Sequence, residues 1–397
     1  MKILYITAQI PWGRGEMFIL EELLEMKQWG INFLIIPRNP TKEILHKESE
    51  RLLENAVWLP LINFKILISF FKSLFINPLL WVVITKIILH SRNIWVFIKN
   101  LAVIPKGVFT AKIIQKENIK HIHAHWGSTT ATMAYVISKL TGIPWSFTLH
   151  RWDIAENNML REKVRTAKFV RCISEHGKNE LLSIIGKEYE KKIKVIHMGV
   201  EVPEEILQLQ KNRDFFTITT PANLLEVKGH KYLIEACEIL VNKGFRNFQC
   251  IFYGEGPLRK ELESIIREKG LAQYIKLPGA IPHEELLGMY KNREVDIVIL
   301  PSINTSSGEH EGIPVALMEA MAYGIPVVST NTGGIPELIG DGNGIMIEEK
   351  NSLALADAIE KLIKDEAFRE EIVKKGRLKV VRDFNLEYIA KHLIMLF

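Results

Sequence analysis

Short apolar, β-rich runs recur along the whole chain, with helical patterns filling the spaces between them. The first series reads KILYITA, INFLIIP, HIHAH, PWSFTLH, FVRCIS and KVIHMGV. A second reads FFTITTPAN, FQCIFYGEG, IKLPGA, VDIVILPS, IPVVST and GIMIEE. Amphipathic stretches such as EMFILEELLEMKQWG and KYLIEACEILVNKG lie between the runs. Strands that alternate with helices build parallel sheets covered by helices. A run such as VDIVIL, apolar without alternation, suits a strand buried on both faces. The polar, proline-bearing VEVPEEILQLQKNRDF parts the two series, and 397 residues exceed one ordinary core. The expected fold class is therefore α/β, with two Rossmann-like doubly wound parallel-sheet domains facing across a cleft. The expected boundaries are 1–205, 214–380, and a C-terminal helix over 381–397 that packs back on the first domain. Ligands of open α/β sheets bind beyond the carboxyl ends of the strands, so the loops after the runs are where chemistry is sought.

One such loop leads into EGIPVALMEAM, residues 311–321, with glutamates at 311 and 319. Pro314 suits the first helical turn. Gly312, Ile313 and Val315 would present backbone N–H groups at a helix start, where phosphate is favoured by those groups and by the dipole. Eight helical residues rise about 12 Å, too far for Glu311 and Glu319 to act as one carboxylate dyad. They could bind hydroxyls at opposite ends of a long ligand whose phosphates lie between them. A nucleotide-sugar has that shape. Taken alone, the pair reads as a first-turn charge and a solvated helix residue.

Neighbouring loops add to it. PANLLEVKGH places Lys228 before a helix, where an ammonium can neutralise a diphosphate as a point charge. YGEGPLRKELE has Gly254 and Gly256 between strand and helix but lacks the third glycine of a dinucleotide fingerprint, which argues against nicotinamide. NTGGIPELIGDGNG supplies another glycine turn.

From 215 to about 347 the chain resembles glycosyltransferase family 4, the group 1 retaining glycosyltransferases of GT-B fold. The pieces that carry it are VKGH, YGEGPLRKELE, DIVILPS, EGIPVALMEAMAYGIPVVSTNTGGIPELI and GNGIMI. The resemblance implies a donor sugar contacted by Glu311, a ribose held by Glu319, and a diphosphate held by Lys228 and the amides after Glu311. The family's usual arginine five residues before the lysine is Asn223 here, which can donate a hydrogen bond without charge.

The first domain matches more loosely. PWGRGEMFILEEL resembles the exopolysaccharide-assembly branch, and Gly13 and Gly15 would let backbone approach the diphosphate. SFTLHRWDI ends a strand at His150, which fits the family's first-domain histidine near the donor sugar; Glu311 is its catalytic companion in this reading. In HIHAHW, His121, His123 and His125 share one face of a strand. His125 and Asp153 are assigned to the acceptor side. An H-x-H metal pair would require further ligands in a single barrel, and the chain holds no D-x-D, so no metal or other cofactor is expected.

Charge is uneven. The formal net is +5, yet residues 55–116 hold eight Lys or Arg and no Asp or Glu, leaving the remainder acidic. That window is also the most apolar. Its longest uncharged stretch, 73–85, contains Pro78 and is shorter than the roughly 18 to 20 residues a span requires, so no transmembrane helix is expected. Lys65, Ser69 and Lys72 form a polar stripe on an apolar helix, and Trp81 and Trp95 suit an interface. Two readings stand: a basic amphipathic surface on an anionic leaflet, or core helices with outward-snorkelling lysines. The N-terminal run has strand alternation rather than a leader pattern. Cys172, Cys237 and Cys250 lie far apart with no CxxC, consistent with a reducing cytosol.

The sequence thus points to a retaining, metal-independent hexosyltransferase of bacterial surface polysaccharide assembly, cytoplasmic or peripheral on the inner face of the membrane. A nucleotide-sugar is its expected donor and a lipid-linked saccharide its expected acceptor, with no nucleic-acid partner. A non-catalytic nucleotide-sugar binder and a nucleotide-sugar 2-epimerase are the alternatives.

Overall fold

The computed structural model describes residues 1–13, 16–41, 44, 47–206 and 215–397. Gly15 and the expected domain start at 214 lie outside the described residues. The chain divides into two compact units, Met1–Gly199 with Leu386–Phe397, and Val200–Asn385.

In the first unit six strands form one parallel sheet: β1 (Lys2–Thr7), β2 (Asn32–Pro37), β3 (His121–His125), β4 (Trp145–Leu149), β5 (Phe169–Cys172) and β6 (Ile193–Val195). Their order is β2-β1-β3-β4-β5-β6. Alternate residues fill two separate cores. Leu4, Ile6, Ile122, Ala124 and Phe147 pack on one side. Ile3, Tyr5, Phe33, Ile35 and Phe169 pack on the other, where Ile389 and Leu393 of the last helix join them. Both faces are covered, as parallel strands require. A fully buried ion pair, Arg171 Nη1 to Glu22 Oε2 at 2.6 Å, ties β5 to the helix Met17–Gln28.

The second unit repeats the plan with β7 (Phe216–Pro221), β8 (Phe248–Tyr253), β9 (Ile275–Gly279), β10 (Ile297–Leu300), β11 (Val327–Thr330) and β12 (Ile345–Ile347). The order is β12-β11-β10-β7-β8-β9, again parallel throughout. Ile218, Cys250, Phe252, Ile297, Ile299 and Val328 form its centre. All three cysteines are free and buried.

The basic, apolar window folds as three helices of the first unit, Phe64–Ile76, Pro78–His90 and Ile94–Ile113. The third, with the short turn that continues it to Lys116, is long and apolar enough to cross a bilayer by length and composition. The charge-free stretch 73–85 did not reveal it, because Lys99, Lys106 and Lys112 interrupt the helix. More than half of its most apolar portion is buried inside the unit. Lys106 lies within it and points inward, donating to the carbonyls of Arg38 and Leu59. Burial pushes that ammonium down to about 7.

Candidate functional site

Loops at the carboxyl ends of β7, β8, β10 and β11 are held together by backbone contact, and glycine permits it. A Cβ on Gly254 would lie 2.0 Å from the Ala222 carbonyl oxygen, and one on Gly333, at φ +52°, would lie 1.8 Å from that of Glu311. Leu224 N–H donates to Glu255 O at 3.0 Å, Ile303 N–H to Val227 O at 2.9 Å, and Gly334 N–H to Glu311 O at 3.3 Å. Gly254 and Gly333 therefore serve to stack loop on loop.

On this platform Lys228 Nζ sits 2.6 Å from Glu311 Oε2, both side chains mostly shielded. Ser302 Oγ, at the end of β10, donates to the same carboxylate oxygen at 3.3 Å. The helix begins one residue later than the sequence suggests. Pro314 is its extended N-cap, with ψ 122°, and the helix runs Val315–Ala322. Residues 311–314 thus lie outside the helix, and only Val315 to Glu319 of the stretch is helical. Among the described residues, no acceptor takes the N–H groups of Gly312, Ile313 and Val315. Around Gly312 the space is open.

Glu319 is not a solvated helix residue. It is buried, and its Oε1 lies 2.7 Å from His283 Nε2, at the start of the helix His283–Lys291. Tyr290 of that helix has a buried hydroxyl without a partner among the described residues, raised well above its ordinary pKa by burial and then by the Glu319 charge. Asn223 is exposed, and its side chain makes no hydrogen bond among the described residues. His283, Tyr290 and Ser302 escaped the sequence reading. PHEEL signals a helix start, but nothing in it names a partner 36 positions away.

In the first unit His150 follows β4 and opens the helix Arg151–Glu156. Its Nε2 lies 2.8 Å from His125 Nε2, and His125 Nδ1 lies 3.0 Å from the Tyr5 hydroxyl. His123 meets Ser146 and Thr148, and His121 meets Ser146. Burial, then the Arg171 charge, pushes His150 down to about 3, and burial holds His125 and His123 well below the usual range. These rings are neutral at neutral pH. His150 can exchange hydrogen bonds with a hydroxyl but carries no charge to a phosphate.

Two acceptor-side expectations change. His125 is fully buried beneath His150, and Asp153 is buried with its Oδ2 accepting the His150 N–H at 3.0 Å. Neither lines an open surface, because each is engaged in holding His150. Burial raises Asp153 to about 6, against the opposing pull of the His150 and Gly127 N–H groups. Gly13 N–H is also occupied, donating to Glu16 Oε2 at 3.1 Å, while Glu16 Oε1 accepts from the Trp126 indole at 3.1 Å. Trp126 adopts φ +79°, a conformation bulky residues rarely take, and its ring centroid stands 4.4 Å from that of His150. Tyr5, Glu16 and Trp126 are further residues of this cluster that only the fold brings together.

Two doubly wound parallel domains, the second bearing the Lys228–Glu311 pair beside an open helix start, have the architecture of the GT-B class. Residues 201–379 match the family model described as Glycosyl transferases group 1. The second unit of this chain is a group 1 glycosyl transferase domain. The putative colanic acid biosynthesis glycosyltransferase WcaL of Escherichia coli (strain K12) is 38% identical over 210 residues, 52% of this chain and 50% of that protein. The amylovoran biosynthesis glycosyltransferase AmsK of Erwinia amylovora is 36% identical over 253 residues, 61% and 60% of the two chains. The chain thus spans about half the length of the curated relatives it matches. Among solved structures, Anabaena Alr3699/HepE in complex with UDP aligns with TM-score 0.72 at 17% identity, covering 100% of this chain and 99% of that one.

Proposed function

We propose that this chain is a retaining, metal-independent hexosyltransferase of bacterial exopolysaccharide assembly. It moves a sugar from a nucleotide-sugar to a lipid-linked saccharide, working in the cytoplasm at the inner face of the membrane. The observation that carries this reading is the Lys228–Glu311 pair beside the open amides of Gly312, Ile313 and Val315. A diphosphate entering there would draw Lys228 from the carboxylate and accept from the amides, and both effects grow as leaving-group charge develops. Glu311, released from Lys228, would then accept from donor-sugar hydroxyls, and Glu319 from the ribose. His150, neutral, would meet a sugar hydroxyl.

In the proposed transfer, the acceptor oxygen bonds to the anomeric carbon on the face from which the diphosphate departs. The C–O bond to phosphate breaks with its electron pair going to the diphosphate. A diphosphate oxygen takes the acceptor proton, so configuration is retained without a covalent enzyme intermediate. The relatives named for colanic acid and amylovoran biosynthesis support the pathway class, and the structural relative holding UDP supports a nucleotide donor. The test is a thermal-shift screen of nucleotide-sugars followed by transfer assays with the best stabiliser. Stabilisation with transfer is the expected result. Stabilisation without transfer to any acceptor would identify a binder, and a 2-epimer formed without acceptor would identify an epimerase.

A further inference from the structure

The three helices of the basic window turn apolar side chains away from their unit. In Phe64–Ile76, residues Phe64, Ile68, Phe71 and Phe75 are exposed at helical spacing, while Ile66 and Ser73 face inward. Trp81, Val82, Ile88 and Leu89 are exposed on the second helix, and Ile94, Trp95, Ile98 and Leu101 on the third. Phe64 is 78% exposed, Phe75 89%, Ile76 79% and Trp95 72%. Successive apolar stripes of this kind mark an interaction surface rather than scattered surface residues.

The first two helices meet at an elbow bent by 104°. The Trp81 indole donates back across it to Leu74 O at 2.8 Å, and Asn77 Oδ1 caps the second helix by accepting from Leu79 N–H at 3.0 Å. Phe75 and Ile76 are therefore presented by a braced turn.

Charge identifies the occupant. Lys65 and Lys72 are exposed beside the Phe64–Phe75 stripe, and no Asp or Glu occurs anywhere in 55–116. A second copy of the chain meeting this face with its own would set cation against cation with no acid between them, a costly arrangement. An anionic bilayer offers both an apolar layer and the opposite charge. Each of the first two helices has 13 residues, about 20 Å, against a hydrocarbon core of about 30 Å. The bend keeps them from acting as one straight span.

We propose that the Phe64–Ile76 and Pro78–His90 elbow, with Trp95, lies in the headgroup layer of an anionic membrane as a peripheral docking surface. Its purpose rests on the reading of a lipid-linked acceptor; its test does not. The full chain would be co-sedimented with phosphatidylglycerol/phosphatidylcholine vesicles and with phosphatidylcholine alone, at low and high salt. Binding to the anionic vesicles, weakened by salt and reversed by alkaline carbonate, is expected. Phe75→Glu with Ile76→Glu, and separately Lys65→Glu with Lys72→Glu, should each weaken it about tenfold or more, with melting temperature and nucleotide-sugar affinity unchanged. Lack of vesicle binding, equal binding by the variants, or resistance to carbonate would overturn the proposal. So would a dimer, abolished by the Phe75/Ile76 change, in a chain that ignores vesicles. Transfer to a detergent-solubilised acceptor without vesicle binding would sink the surface and spare the function. Vesicle binding without transfer from any nucleotide-sugar would do the reverse.

Discussion

Lys228 and Glu311, 83 positions apart, meet at 2.6 Å at the mouth of an open helix start. Each is the other's counter-ion. Lys228→Ala should weaken nucleotide-sugar binding by about 1.5 to 3 kcal/mol, the range for charge-assisted contacts. Glu311→Ala should cut turnover at least tenfold while moving the melting temperature far less than loss of a fully buried pair would, since both side chains keep some contact with water. Calorimetric titration and steady-state kinetics read the two effects. An unmoved donor affinity in Lys228→Ala would place the site elsewhere.

Asn223 stands exposed where the resemblance expects an arginine. Restoring the charge with Asn223→Arg should tighten nucleoside-diphosphate binding by about 1.5 to 3 kcal/mol, and the gain should shrink with added salt. A salt-independent or absent gain would show that this loop does not face the phosphates.

Acid should destabilise the fold before it reaches most carboxylates. His121 and His150 are held near 3 by burial, and His123 and His125 lie well below the usual value of 6.5. The unfolded chain takes up those protons first, so the histidines' contribution to stability is full above about 6.5 and is lost as pH drops below it. Asp153, raised to about 6, works the other way between its ordinary 3.8 and 6, but it is one group against four. Urea unfolding at pH 7.5 and 5.5 should show the loss, and His121→Gln should reduce its slope.

Glu22 and Arg171 form a fully buried pair. Glu22→Ala leaves the guanidinium buried and unpaired and should cost about 3 to 5 kcal/mol. Glu22→Leu with Arg171→Met should recover much of that loss, because the desolvation of both charges disappears together. Denaturant unfolding of the three variants against the parent decides it.

Gly254→Ala forces a methyl against the Ala222 carbonyl. The expected cost is about 1 to 3 kcal/mol of stability, as for overpacking. Donor affinity should fall alongside it, because the loop that carries Asn223 must shift. Gly288→Ala, with open space around its Cβ position inside the helix His283–Lys291, is the contrast and should instead stabilise by up to about 1 kcal/mol through helix propensity.

The strands were legible because each apolar run is short, β-rich and bounded by turn residues; HIHAH coincides with β3 from end to end. Parallel pairing followed from the intervening amphipathic stretches, whose periodicity is a local property. Lys228, Glu311 and Glu319 were legible as types at strand ends, since loop position and helix starts are written in neighbouring residues. Their partners were not. That Lys228 bonds Glu311, that His283 meets Glu319, and that His125 and Asp153 turn inward to hold His150 depend on which strands lie side by side. The long helix Ile94–Ile113 was hidden because lysines break its apolar run, one of them turned inward onto carbonyls. The sequence by itself determined the two parallel sheets and the residue types at their carboxyl ends, through patterns that repeat over a few positions. Only the tertiary structure decided which of those residues touch and which are buried neutral, because contact and desolvation are set by groups that arrive from far along the chain.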